Sequence, residues 1–340
     1  MAILDIVVTH YNETREVYQK YFDLLRNQRG IDFDDIHVII VNDGDGRIDE
    51  DLLSGLPCTA EQHNIPKTGI SAARNFGIKQ STAEWISFCD CDDCYSSVYS
   101  LKLVLDLLTD RSVSSKYDML WSHLCAEDKS RSGGGLKLIS RGLDLVFIHG
   151  KFYRRQVLID HDIWFPETLE FNEDSAFNAI ANTYWDYHRI GEIKTAFPLY
   201  SWCFRPGSLT GTPGNLERAI LGSYMRNKMV VDEFEKRLPH DRYCAMVARA
   251  IFDAYYVLNV ERITPTRRQM LDDFKAWYAE HKQAFRACPY EMLKEVKAVS
   301  KAEHEAGMAE ESERWPGQEP NPCKQEVSVS KWLACLEVET

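Results

Sequence analysis

The sequence predicts an α/β protein with a doubly wound, mostly parallel sheet and a helical C-terminal appendage. Three observations carry this. Short, continuous apolar runs recur through the first half of the 340-residue chain, as expected of strands buried on both faces. Segments with helical spacing separate those runs, and such alternation builds a parallel sheet with helices on its faces. From about residue 215 the strand-like runs stop and only helical spacing remains.

The elements follow in order. Ile3–Val8 reads as a buried strand, and Asn12 or Thr14 can start the helix that carries Val17, Tyr21, Leu24 and Leu25. His37–Val41 is a second strand, ending in Asn42-Asp43-Gly44, and Cys58–Glu61 a short third. Ser71 is the expected cap of a helix reaching about Lys79. Trp85–Phe88 is a fourth strand, followed by Asp90-Cys91-Asp92-Asp93 and a helix over Val98–Leu108. Tyr117 to Thr210 mixes strands with one helix near Asp174–Asn182, and Gly133-Gly134-Gly135 marks a loop. Met246 to Leu258 and Met270 to Tyr278 repeat at helical spacing. The expected organisation is a catalytic domain over 1–212, a helical appendage over 213–300, and a polar linker and tail over 301–340. Val327–Leu336 is apolar enough to dock back on the chain or to meet a partner.

Composition bounds the function. Net charge is −12, which argues against charge-driven binding to nucleic acid or anionic membrane. No apolar stretch approaches the ~18–20 residues of a membrane helix. The opening MAILDIVVTHYNE lacks a basic leader and reads as a strand rather than a signal peptide. The ten cysteines show no disulfide framework, so a cytoplasmic protein with reduced thiols is expected.

In sheets of this kind ligands sit beyond the carboxyl ends of the strands. Three strand ends here carry polar clusters: Thr9–Asn12, Asn42–Asp45 and Asp90–Asp93. Three carboxylates in four residues repel one another, and a divalent cation relieves that repulsion. Carboxylates are hard ligands suited to Mn²⁺ or Mg²⁺, ions that also hold substrate phosphates. Asp90, Asp92 and Asp93 are therefore the candidate metal ligands. Cys89, Cys91 and Cys94 raise a zinc alternative. However, Cys89 and Cys91 face away from Asp90 and Asp92 on an extended strand, and buried thiols are the simpler reading.

The ordered motifs resemble the family 2 glycosyltransferases. Thr9-His10-Tyr11-Asn12 resembles that family's opening P-x-Y-N, with Thr for Pro, and Asn42-Asp43-Gly44-Asp45 its D-D-G-S, more loosely. Gly69 through Gly77 matches G-x-S-x-A-R-N-x-G in full, and Phe88–Asp93 matches F-x-D-x-D-D. Lys151–Arg155, Glu173–Phe177 and Arg205–Thr210 match K-x-Y-R-R, E-D-x-x-F and R-P-G-S-x-T. The resemblance covers roughly residues 1–212 and implies the GT-A fold and inverting, metal-dependent transfer of a sugar from a nucleotide-diphosphate donor, a UDP-sugar above all, to an acceptor hydroxyl.

The resemblance also implies roles. Tyr11 would pack on the base, with Thr9 and Asn12 beside it, and Asp43 would accept from a base N–H; an Asp before Gly is also a common turn former. Arg74, near a helix start, would hold phosphate with help from Lys67, or make a salt bridge instead. Asp90 would face the ribose, Asp92 would coordinate the metal, and Asp93 would support it. Asp174 is the expected general base, with Glu173 holding an acceptor hydroxyl; acids in a first helical turn also serve as caps. Arg205 would neutralise the diphosphate. Many relatives place a metal-binding His near this point and none is seen here, while His149 reads as a packed residue. Tyr153 and Arg154 are expected to shape the acceptor face. The acceptor is a glycan, a lipid-linked glycan or a protein. The alternatives are a nucleotidyltransferase, against which His10–Glu13 stands where a Gly-rich phosphate loop would be, and a catalytically silent glycan-binding or scaffold protein of the same fold.

Overall fold

A computed structural model describes residues 2–127, 136–138, 146–185, 189–195, 197–203, 216–238, 243–244, 247, 250 and 265–287. The glycine loop at 133–135, the motif at 205–210 with Arg205, and the tail from 301 lie outside the described residues. The chain divides into two compact units, Met1–Pro213 and Gly214–Thr340.

The first unit is built on a seven-stranded sheet of mixed direction, mostly parallel. It opens with β1 (Leu4–His10), α1 (Arg15–Arg26), β2 (Ile36–Asp43), α2 (Glu50–Ser54), β3 (Thr59–Ile65), α3 (Ile70–Gln80) and β4 (Trp85–Asp90). Then come β5 (Cys94–Tyr95), α4 (Ser100–Thr109), α5 (Arg111–Ser114), β6 (Met119–Trp121), β7 (Leu124–Glu127) and β8 (Leu136–Leu138). The unit continues with β9 (Lys151–Arg154), α6 (Arg155–Asp160), α7 (Glu173–Ala181), β10 (Ile190–Glu192) and β11 (Tyr200–Trp202). The sheet order is β10-β6-β9-β4-β1-β2-β3, and β5-β11-β7-β8 form a second, four-stranded sheet. β1 runs parallel to β2 and β4, whereas β9 is antiparallel to both β4 and β6.

Register aligns the strand ends. Thr9 pairs with Asp90 and His10 with Asn42, so the polar clusters of β1, β2 and β4 meet along one edge of the sheet. Beneath them the core is aliphatic and aromatic: Ile6, Val8, Val38, Ile40 and Trp85 are wholly buried against Tyr21, Phe22 and Leu25 of α1. One carboxylate sits within this core. Asp5 Oδ2 accepts from Ser81 Oγ at 2.6 Å and from the Thr82 and Ala83 amides at 2.7 and 2.8 Å, which pins the turn between α3 and β4.

The sequence expectations shift in two places. The third strand runs over Thr59–Ile65 rather than 58–61, because TAEQHNI is a partly exposed edge strand with too few apolar residues to show its length. The cap of α3 is Gly69, not Ser71. Gly69 has φ 102, a region that favours glycine, and Ser71 is buried within the first turn. Gly77 has a different reason: a Cβ there would lie 2.4 Å from Val7 Cγ1 and 2.7 Å from Val7 Cγ2. Helix α3 thus packs directly on β1. Gly77→Ala is expected to lose about 2 kcal/mol of stability in urea denaturation, because overpacking (about 1–3 kcal/mol or more) outweighs the helix-propensity gain of about 1 kcal/mol.

The second unit contains α8 (Leu216–Arg237) and α9 (Pro265–Ala287). Tyr224 Oη and Lys228 Nζ of α8 both donate to Asp273 Oδ2 of α9 at 2.6 Å, and Tyr224 packs edge-on to Trp277. Among the described residues no helix is long and apolar enough to cross a membrane.

Candidate active site

The acidic turn after β4 folds back on itself. The Asp93 amide donates to the Asp90 carbonyl at 3.1 Å, which brings the Asp93 side chain beside that of Asp90 and leaves Asp92 at the corner, half-buried. His149 completes the group. Its Nε2 lies 3.2 Å from Asp90 Oδ2 and 3.5 Å from Asp93 Oδ2. One ligand atom each from Asp90, Asp93 and His149 falls within 4.8 Å of the others, the spacing of a candidate metal centre. The grouping takes in two of the three expected aspartates, Asp90 and Asp93, and adds His149, with Asp92 outside it.

His149 is packed, as its sequence context suggests, since its ring stacks on Tyr200 with centroids 5.0 Å apart and planes within 4°. It also lies within the candidate metal centre. β9 runs against β4, so the residues just before β9, His149 and Gly150, enter at the edge where Asp90 leaves. Fifty-nine positions separate Asp90 from His149 in the chain, and no local spacing reveals the pair. The available signal was an imidazole beside Gly150, whose φ is 69, at the start of a strand.

The electrostatics of the cluster are strong. Burial opposes charge on Asp90, but Arg74, His149 and Thr9 together hold its carboxyl well below the usual range. Burial, opposed by His149 and reinforced by the Asp90 and Asp92 carboxylates, pushes Asp93 well above it. Burial works against a charged His149, yet the Asp90 carboxylate lifts the imidazole to about 9. Asp93 Oδ1 accepts from the Cys203 amide at 2.8 Å, while Asp93 Oδ2 and His149 Nδ1 are buried without a hydrogen bond. A buried carboxylate oxygen without a donor, next to a second carboxylate and an imidazole, fits a divalent cation.

Arg74 ties this group to the second acidic pair. It is 1% exposed. Its Nη2 donates to Asp90 Oδ1 at 3.1 Å, and its Nη1 donates to Glu173 Oε1 at 3.1 Å and to Asp174 Oδ1. Of the two readings open for Arg74, the salt bridge describes this structure. Glu173 and Asp174 begin α7, behind Asn172, whose φ of 64 turns the chain into the site. The Ile148 amide donates to Asp174 Oδ2 at 3.2 Å. Burial, then the neighbouring Asp174, raise Glu173 to about 8.

The remaining candidates divide. Thr9 Oγ1 donates to Asp90 Oδ1 at 2.8 Å, so Thr9 supports the cluster from beneath. Tyr11 is exposed, with Lys67 Nζ 4.5 Å from its ring centroid and donating to its hydroxyl; Asn12 is exposed beside it. Asp43 Oδ1 accepts from the Thr68 and Gly69 amides at 2.7 and 3.1 Å, fixing the turn into α3 next to Lys67. Tyr153 and Arg154, expected on an acceptor face, are structural: Tyr153 is fully buried and bonds Asn178 at 2.7 Å, and Arg154 pairs with Glu84 and Asp118. Cys89, Cys91 and Cys94 are buried.

A mostly parallel sheet with an acidic cluster at the carboxyl end of β4 defines a protein of the GT-A class. Residues 5–116 match the Glycosyl transferase family 2 profile. Over that segment the chain is similar to the family 2 glycosyltransferases. EpsJ of Bacillus subtilis (strain 168), an uncharacterized glycosyltransferase, is 26% identical over 235 residues, which cover 63% of this chain and 64% of that protein. The chain thus spans just under two thirds of that relative. The solved structure of S. aureus TarS 1-349 in complex with UDP-GlcNAc has a TM-score of 0.62 at 19% identity, covering 82% of this chain and 81% of the other. The corresponding complex with UDP has a TM-score of 0.60 at 18% identity, covering 83% and 82%. These likenesses are of fold.

Proposed function

We propose that the chain catalyses inverting, metal-dependent transfer of a sugar from a UDP-sugar to an acceptor hydroxyl of a glycan, lipid-linked glycan or protein. The observation that carries this reading is the Arg74 bridge between two acidic groups, one suited to a cation and one to proton transfer. The fold shared with a UDP-GlcNAc-bound TarS supports the donor class.

In this reading Asp90, Asp93 and His149 hold Mn²⁺ or Mg²⁺, with Asp92 at the rim. The single imidazole favours Mn²⁺. When bound, the ion supplies positive charge to the leaving diphosphate. Tyr11 stacks on the base with Lys67 and Asn12 beside it, and Asp43 uses a remaining lone pair for a base N–H. Asp174 takes the proton of the acceptor hydroxyl as its oxygen attacks the anomeric carbon. Glu173, raised to about 8, keeps its proton at neutral pH. It therefore donates a hydrogen bond to the acceptor rather than acting as a nucleophile. One base and no second carboxylate nucleophile make the displacement direct, with inversion. Arg205 would close over the diphosphate. The catalytic domain spans 1–212, with the helical appendage over 213–300 and the tail to 340 as its partner or self-contact segment, and the protein acts in the cytoplasm.

Calorimetry of UDP binding tests the metal arm. Mn²⁺ is expected to tighten UDP at least ~10-fold, about 1.4 kcal/mol. His149→Ala is expected to remove most of that gain. If Mn²⁺ and Mg²⁺ leave the affinity for UDP and GDP unchanged, the reading fails.

A further inference from the structure

Next to Arg74 on α3 is Asn75, which reaches neither the metal-binding group nor the acidic pair. It is 4% exposed. Its side-chain amide grips a peptide on the segment leading to α7. Asn75 Nδ2 donates to the Phe165 carbonyl at 2.9 Å, and the Phe165 amide donates back to Asn75 Oδ1 at 2.8 Å. Nδ2 also donates to Glu167 Oε1 at 3.0 Å. Two-way bonding to one residue's backbone fixes that residue in position and orientation, and only an amide side chain offers both a donor and an acceptor at this length.

Phe165 passes this constraint on. Its ring stacks on Phe177 with centroids 3.9 Å apart and planes within 5°. It meets Phe88 of β4 edge-on at 5.0 Å, and the Arg74 guanidinium lies 5.2 Å from its centroid. Phe177 lies on α7 three residues after Asp174, on the same side of the helix. Consecutive residues of α3 thus hold α7 in two ways: Arg74 binds its acidic pair directly, and Asn75 holds the aromatic ring on which the helix rests.

We propose that Asn75 is a positioning residue, setting the pose of Asp174 through Phe165 and Phe177. The inference rests on Asp174 being the base. Misplacement of a reacting group by about 1 Å costs up to ~100-fold in rate. Losing the Asn75 clamp is therefore expected to lower kcat while leaving UDP binding at the far side of the site alone.

The test measures UDP release from a panel of UDP-sugars with Mn²⁺, calorimetric UDP affinity and melting point, all assayed well below the lowest melting point. Asn75→Ala should lower kcat about 30-fold with UDP affinity within about twofold of the parent. Asn75→Asp, a near-isosteric second variant, keeps the bond from the Phe165 amide but sets a carboxylate against the Phe165 carbonyl and Glu167; it should fall at least as far. Asn75→Asp combined with Glu167→Gln replaces that repulsion with a donor and should recover part of kcat. Wild-type kcat in Asn75→Ala, a parallel loss of UDP affinity, or no recovery in the double variant would overturn the proposal. Asp174→Asn is run alongside: wild-type turnover there sinks the base assignment itself, whatever Asn75 does.

Discussion

Asp174→Asn is expected to lower turnover by about 10²–10⁴-fold while changing UDP affinity less than about twofold. The substitution preserves volume and an acceptor for Arg74, so the arrangement of Arg74, Asp90 and Glu173 has no steric reason to collapse. What disappears is the lone pair that takes a proton. Asp174 and Asp90 bond different nitrogens of Arg74, whereas Asp43 bonds the Thr68 amide, so proton transfer and base recognition fall on different side chains. Turnover of UDP-sugars and calorimetry on the same preparation give both quantities. Retained turnover would return Glu173 and Asp174 to a helix-capping role.

Arg74→Met is expected to destabilise the fold by about 3–5 kcal/mol, the usual loss when one partner of a buried ionic group is removed. Three carboxyls face this side chain, and Arg74 is their shared cation. Methionine fills similar space but leaves Asp90, Glu173 and Asp174 facing one another across an apolar stem. Arg74→Lys is not a gentle alternative, because an ammonium is one point of charge where the guanidinium serves two sites with separate nitrogens. Urea denaturation at neutral pH reads the effect. A loss below about 1 kcal/mol, the range of an exposed ion pair, would show that the network is not a structural keystone.

Much of this was legible in the sequence, for definable reasons. The strands β1, β2 and β4 are buried on both faces and announce themselves as apolar runs, and their ends carry the acids that define the site. The motif from Gly69 to Gly77 placed Arg74 correctly near a helix start but could not say what it meets, since Glu173 and Asp174 lie 99 and 100 positions away. Asp92 was expected to bind the metal on the strength of the resemblance; the turn at Asp90 brings Asp93 beside Asp90 and leaves Asp92 half-buried at the corner, which residue types alone do not reveal. The polar edge strand β3 shows how hydrophobic patterning undercounts a strand that is only half covered. Asn75 looked like one letter of a motif until the peptide it grips was visible.

The reversed direction of β9 has a consequence for how this scaffold can change. A strand that runs against its neighbour delivers its first residues to the rim where the neighbour's last residues stand, so His149 needs no loop of its own to reach Asp90. The imidazole's place is tied to strand pairing. A two-residue slip of β9 along β4 would keep every side chain on its original face yet carry the ring about 7 Å along the sheet, out of reach of both aspartates. A two-residue change in the register of β9 is thus a small rearrangement that disarms the site while keeping the same faces buried.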